Sequence, residues 1–550
     1  MHGRSFLGTG VFGLGLIYAV LVPVSSAAED TERPATQMGA TTPSSTATAP
    51  VPPSPDAAAV RSPSEATSPS PAADPVIAEI RSKLVSLREA VDTKDLAALE
   101  TFYAERTGPP VWITPMGFSA RAVDAINEIS KADDWGLAAS DFNLPSAGDL
   151  PNNADDQVKA EIKLQLAILK YARFARGGRA NPLSLSPIID QTPPLLDPKV
   201  VLDDIAASST PAGYLQSLHP KHEQFQRLRQ ALLNARGIGG VEAAKTPRNQ
   251  QEIQRILINM ERWRWMPADL GKVYVQDNVP EFMLHVVRDG KVIHSDKIAV
   301  GELKYATPIF SAKMQSIVFN PEWTAPPTVV REDLLPNLRG GGGFFGGGTS
   351  ILRQHGLQVR YNGRVVDPSS VNWTSVNMAN IAFIQPPGPT NVLGKVKFLY
   401  PNEHSVYMHD TIRPNLFTQS ARAIGHNCIR MEKPSKLAEI LLAEDKGWDA
   451  KKVEDLIDKG NNTPVNLDRP IPVHTTYFIA VVDDEGKVRT FADIYGLDSK
   501  VAPIVGGKAI ALATDGDHDA DTTANFAATA KPKVREENVA GGGIQGLFGN

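Results

Sequence analysis

Two periods of apolar residues divide the chain. Up to about residue 266, large side chains recur every three to four positions. DPVIAEIRSKLVSLREAV, SARAVDAINEISKA, DDQVKAEIKLQLAILKYARFARGG, HEQFQRLRQALLNARG and RNQQEIQRILINMERWRWMP all read as amphipathic helices. The first opens with Asp74 as N-cap and Pro75 at the first helical position, where the missing N–H has no partner to lose. After Pro267 the period drops to two. KVYVQDN, EFMLHVVRDGKVIHSDKIAVG, KVKFLYPNEHSVYMHDT and TYFIAVVDDEGKVRTFADIYG alternate or run apolar, and Asp289-Gly290 and Glu485-Gly486 sit where hairpin turns need positive φ. One more helical patch, PSKLAEILLAEDKGWDAKKVEDLIDKG, follows the last cluster of histidines. The fold class this predicts is α+β: an N-terminal α-helical scaffold domain at 76–250, then a mostly β domain at 251–501.

The remaining segments lack either period. MHGRSFLGTGVFGLGLIYAVLVPVSSAAED has a short basic start, an apolar stretch from Phe6 to Val24 and small residues before two acids, so 1–28 reads as an export signal, with an uncleaved anchor as the alternative. Residues 29–75 are Pro, Ala, Ser and Thr with almost no large apolar side chains, a composition that cannot bury a core and reads as a disordered tether. Residues 331–389 are irregular and contain LRGGGGFFGGGTS. No Gly-Lys-Ser/Thr follows, so this is expected to be a mobile loop carrying Phe344 and Phe345 and not a phosphate cradle. Residues 502–550 are assigned no structure. The net charge of −5 provides no basic field, which excludes nucleic acid as the expected partner. Arg173, Arg176 and Arg179 are expected to be solvated helix-end charge, and Trp263, Trp265 and Trp323 to be packing anchors.

The chain has a single cysteine, Cys428, and that changes the picture. Exported proteins use paired cysteines, so a lone thiol there is either sheltered as a small hydrophobe or put to use. A thiol attacks carbonyls as the thiolate and needs a neighbouring imidazole or backbone dipoles to reach that state near neutral pH. His409 ends a predicted strand and Cys428 precedes a helix, positions that can converge as acyl transfer requires. Metal binding is the competing chemistry, through His404, His409, His426 and Cys428. The chain has no Cys-x-x-Cys pair and no His-Glu-x-x-His helix, so no metal is expected. His285, His294, His355 and His474 are taken as structural or solvent-facing.

YMHDT at 407–411 followed by GHNCIR at 425–430 resembles the signature of the L,D-transpeptidases with a YkuD-type catalytic domain. NMERWRWMP, TPIFSAKMQSIVFNPEWTAPPTVV, QPPGPTNVLGKVKFLYPN and RPIPVHTTYFIAVVDDEGKV resemble its large, YcbB-like branch, so the likeness covers about 76–500. The resemblance implies a capping lid subdomain at about 331–389. It implies that Cys428 attacks the L-centre carbonyl of meso-diaminopimelate in a peptidoglycan stem tetrapeptide, forming a thioester that a second stem's amine resolves into a 3→3 crosslink. His409 is then the general base and acid, with the backbone at Asp410 orienting it. The N–H groups of Asn427 and Cys428 form the oxyanion hole, His426 shapes the site, and Tyr407 and Arg430 contact substrate. No cofactor is needed. The partners would be stem peptides or an envelope protein as acceptor, and the compartment the periplasm of a Gram-negative bacterium, with inner-membrane anchoring as a variant. A carboxypeptidase and a non-catalytic wall-binding scaffold are the alternatives.

Two motif positions depart from the family: Gly425 replaces a hydroxyl residue and Asn427 replaces a glycine. Asparagine tolerates positive φ, so residue 427 is expected to keep the loop's shape. The small peptidoglycan-binding module common in that branch is not seen between the two domains.

Overall fold

The computed structural model describes residues 74–87, 91–145, 153–237, 246–340 and 347–506. The expected export signal, most of the linker, the glycines and phenylalanines at 341–346 and the tail from 507 lie outside these residues.

The N-terminal half is helical, as the apolar period requires. Helix Pro75–Val85 begins where Asp74 accepts a hydrogen bond from the Val76 N–H, and it buries Ile77, Ile80 and Leu84. Helix Ala154–Gly177 lies at the centre of this half and is buried on several sides. Its Glu161 is fully buried and accepts hydrogen bonds from the Tyr103 hydroxyl (2.8 Å) and from the N–H groups of Val111 (2.7 Å) and Trp112 (2.9 Å). Periodicity does not single out Thr93–Glu105, Pro198–Ala207 or Pro211–Ser217. The last two are short, and Thr93–Glu105 and Pro198–Ala207 rest on Asp92 and Asp197 as N-caps and on burial against their neighbours.

The arginines expected to be solvated are not. Arg173 pairs with Asp95 (2.8 Å), Arg176 donates to the Pro194 carbonyl (2.9 Å), and buried Arg179 pairs with buried Glu261 (3.0 Å). The helix carrying the first two ends inside the molecule, so its last turn meets protein and not water.

The second half is built on a nine-stranded sheet. In chain order its strands are β1 (Ile189–Asp190), β2 (Val273–Asn278), β3 (Met283–Arg288), β4 (Lys291–Ala299), β5 (Ile309–Phe319), β6 (Val396–Leu399), β7 (Met408–His409), β8 (Ile429–Met431) and β9 (Thr463–Thr476). Their spatial order is β6-β7-β8-β4-β3-β2-β9-β5-β1, and β6 also pairs with β5, so eight of the strands close into a ring. The hairpin between β3 and β4 turns through Asp289 (φ 50°) and Gly290 (φ 76°), both in the left-handed region that this turn demands. β1 comes from the segment that follows the long scaffold helix and pairs with β5, so the helical half contributes directly to the sheet.

The helices Pro434–Lys446 and Ala450–Asp458 cover the sheet core through Leu437, Leu441, Leu442 and Val453. Helix Asp498–Val505 extends past Val501, where composition assigned no structure. It buries Val501, Ile504 and Val505, and two of these reach the same core.

Between β5 and β6 the chain builds a separate subdomain with its own core, drawn from residues between Trp323 and Leu393. Its four strands run Arg364–Val366, Gln358–Tyr361, Ile381–Gln385 and Trp323–Thr324 across a small sheet. Trp323 belongs to this core, whereas Trp263 stacks on Phe478 (4.3 Å) where the last scaffold helix meets the β-domain.

Candidate active site

Strand alternation determines what the site contains. Val396, Phe398, Met408, Ile429 and Met431 point into the sheet core, so the residues between them face the other way. Across β6, β7 and β8 the register places Lys397 opposite His409 and His409 opposite Arg430. Tyr407 and Cys428 precede His409 and Arg430 by two positions and share that face. Tyr407 also packs against the core of the inserted subdomain, which therefore borders the site.

The cysteine loop is held by backbone pairing to the end of β4. Val300 receives the Ile424 N–H (2.7 Å), Val300 donates to the Arg422 carbonyl (2.9 Å), and Glu302 donates to the Gly425 carbonyl (3.0 Å). A buried relay fastens the next residue. Gly301 N–H donates to Thr307 Oγ1 (2.9 Å), Thr307 Oγ1 donates to the Asn427 carbonyl (2.9 Å), and Tyr495 Oη donates to the Gly301 carbonyl (2.6 Å). The N–H groups of Asn427 and Cys428 donate to no group among the described residues, so two adjacent donors beside the sulfur are unspent.

The positive φ expected at Asn427 is not there. It falls at Gly425 (φ 83°), where an added Cβ would lie 3.0 Å from both terminal nitrogens of Arg430. This accounts for the departure at 425: the buried guanidinium fills the space a side chain would need, and it donates to the Ile424 carbonyl (2.8 Å). Arg430 thus braces the loop that carries the thiol. Ser405, a non-glycine residue held at φ 56°, presents its carbonyl to Cys428 Sγ at 4.0 Å.

Burial pushes the Cys428 thiol above its usual pKa. Tyr407, through both its backbone N–H and its hydroxyl, and the charges of Arg430 and Lys397 pull the other way. His409 is buried, and burial together with the Arg430 and Lys397 charges pushes its pKa down to about 3. Its Nδ1 lies 2.5 Å from the Asp410 carbonyl. A carbonyl only accepts, so Nδ1 carries the proton and Nε2 carries the lone pair. The hydrogen bond of Sγ goes to Ser405 and not to the imidazole; thiol and imidazole are diagonal neighbours on one face of adjacent strands. Asp410 is itself positioned, its carboxylate accepting from the N–H groups of Lys395 (2.8 Å) and Thr411 (2.7 Å).

His426 stacks on Tyr305 (4.3 Å) at the edge of the site, and its pKa is lowered by burial and by Arg430. His404 pairs with Asp190 of β1 (2.9 Å). The four groups weighed as metal ligands are thus directed to separate partners, and no group of three or more His, Cys, Asp or Glu among the described residues is arranged to hold a metal ion. Sequence reasoning missed Lys397, Thr307 and Tyr495. Lys397 carried a usable signal as the one charged residue in the alternating run VKFL; the other two acquire their roles only through long-range contacts.

The chain is thus α+β, with a helical half ahead of a closed β-domain that carries a thiol and a neutral imidazole on one face of adjacent strands. Residues 97–232 match the Scaffold domain family, and residues 272–466 match YkuD, described as the L,D-transpeptidase catalytic domain. The chain carries a YkuD-family L,D-transpeptidase catalytic domain behind a scaffold domain. A curated Haemophilus influenzae protein, provisionally named an L,D-transpeptidase, is 29% identical over 259 residues, which are 46% of this chain and 50% of that protein. The chain thus spans about half the length of this curated relative. Two solved structures are also similar: an LD transpeptidase in complex with imipenem (10% identity, 37% of this chain, 59% of that one, TM-score 0.17) and an L,D-transpeptidase from Mycobacterium smegmatis (11%, 37%, 58%, 0.18).

Proposed function

We propose that this protein is a peptidoglycan L,D-transpeptidase that forms 3→3 crosslinks through a thioester on Cys428. The reading rests on the YkuD domain and on one observation above the rest: Cys428 shares a sheet face with a neutral His409 whose Nε2 lone pair is free, next to two unspent backbone N–H groups. In the acylation step His409 Nε2 takes the thiol proton, and the sulfur attacks the L-centre carbonyl of diaminopimelate. The N–H groups of Asn427 and Cys428 receive the oxyanion, and the same proton passes to the departing D-alanine amine. In the second step the side-chain amine of another stem's diaminopimelate attacks the thioester, loses a proton to His409 and frees the sulfur. Arg430 braces the loop, Tyr407 gives two donors to the sulfur, and His426, stacked on Tyr305, shapes the site. The apolar N-terminal stretch and the tether composition after it support action in the periplasm.

The test is intact-protein mass spectrometry of the full chain mixed with a diaminopimelate-containing tetrapeptide, beside Cys428→Ala. An adduct equal to the stem less D-alanine, present only with Cys428, is expected, followed by crosslinked dimer when a second stem is supplied. Release of free tripeptide alone would make the protein a carboxypeptidase. Transfer only to a protein amine would make it an anchoring ligase, and no adduct on folded protein would leave a wall-binding scaffold.

A further inference from the structure

The face that carries Cys428 also carries a lysine with no counter-charge. Lys397 stands in β6 in register with His409, and its Nζ lies 4.0 Å from the centre of the Tyr407 ring. No carboxylate of the described residues lies within ion-pair distance of it, and the one ionisable group that favours its charge is Cys428. A half-buried ammonium over an aromatic ring is commonly a stem laid along apolar surface with its charge in water. Here the ammonium is desolvated, its pKa lowered by burial, and it lies against Tyr407 on the strand whose register places Lys397 opposite His409. Removing an ammonium from water without an anion is unfavourable, and the anion that relieves it forms only when Cys428 ionises.

We propose that Lys397 is a positioning residue for the Cys428 thiolate: with its ammonium held against Tyr407, it favours negative charge on the sulfur, and together with Arg430 it opposes a second proton on His409. The groups facing the sulfur support this division. From β6 there is Lys397. The segment between β6 and β7 supplies the Ser405 carbonyl and Tyr407, while Tyr400 in the sheet core feels the sulfur's charge from behind, and β7 supplies His409. β8 supplies Arg430, itself influenced by Arg413, and the inserted subdomain supplies Trp323 against Tyr407. Lysine and arginine bring the only full charges in this set, both are positive, and no carboxylate among them acts on Cys428. Two cations around one thiol favour its ionised form, whereas the same cations keep the imidazole in the proton-accepting form that the first step needs.

The inference rests on Cys428 being the reactive group, but its test reads the thiol's ionisation and not transpeptidation. The rate of iodoacetamide alkylation is measured against pH for the full chain, with Cys428→Ala as blank and with Lys397→Met, Lys397→Gln and Lys397→Arg, each checked for a cooperative thermal melt. Lys397→Met is expected to move the midpoint upward by about one pH unit, which slows alkylation about tenfold below both midpoints, while Lys397→Arg stays within about threefold of the parent. Where Lys397→Met does not melt cooperatively, the same shift is required of Lys397→Gln, which stays polar without the charge. A neutral variant that melts like the parent and retains its alkylation profile overturns the proposal. A midpoint that moves while no stem-peptide adduct forms overturns the transpeptidase reading and supports the role of Lys397; an adduct without a moving midpoint does the reverse.

Discussion

Gly394 provides a way to disturb His409, the proposed base, without substituting it or Cys428. It lies at φ 60° just before β6, and a methyl group there would lie 2.4 Å from Cγ and Oδ2 of Asp410 and 2.5 Å from its Cβ. Holding alanine in that backbone region costs about 1–2 kcal/mol. Asp410 must also move, and its carboxylate holds the Lys395 and Thr411 N–H groups, each bond being worth about 1 kcal/mol. Gly394→Ala is therefore expected to destabilise the protein by about 2–4 kcal/mol. Gly460→Ala isolates the contact term, because Gly460 has φ 67° and nothing within 4 Å of an added Cβ, leaving only the backbone cost. The Asp410 carbonyl accepts from His409 Nδ1, so displacing it also turns the imidazole. An error of about 1.4 kcal/mol in placing the base would slow acylation about tenfold. Thermal melts of both variants and the rate of stem-peptide adduct formation measure the two effects separately. Equal melting midpoints for the two variants, with an unchanged adduct rate for Gly394→Ala, would show that Asp410 yields freely and that its contact with Gly394 has no part in holding His409.

Three further outcomes follow from buried groups. Thr307→Val keeps the volume but strands the Gly301 N–H and the Asn427 carbonyl, so it should lower stability by about 2–4 kcal/mol in denaturant unfolding, and full retention would show that the relay is dispensable. Asp277 is fully buried with both oxygens unpartnered, and burial raises its pKa to about 8, so it binds a proton in the fold that the unfolded chain releases above about pH 4. Its contribution is present below the unfolded pKa and lost as pH rises toward 8. Asp277→Asn should therefore gain on the parent across that window by an amount on the order of a few kcal/mol, and parallel stability curves would refute the buried proton. Because His409 is held neutral down to about pH 3, kcat/KM should show no limb from it between pH 5 and 8 and should rise in the alkaline range as Cys428 ionises; a limb near 6.5 that vanishes in His409→Asn would contradict this.

Local pattern alone separated the helical half from the β half, because a 3.6-residue period and a two-residue period bury different faces and both are written in consecutive residues. It also located the hairpin at Asp289-Gly290 and drew attention to Cys428 and His409, since a lone thiol and nearby histidines are visible without coordinates. Other features depended on segments far apart in the chain. Whether Lys397 faced solvent or the thiol was decided by the register of β6 on β7, a pairing across a dozen residues. Gly425 and Gly394 gained their meaning from Arg430 and Asp410, which fill the space a side chain would occupy. The arginines at the end of Ala154–Gly177 read as solvated because sequence does not reveal where a helix stops inside a molecule; tertiary packing gave them Asp95, Pro194 and Glu261 as partners. Periodicity records which face of an element is buried, and only the fold determines what that face meets.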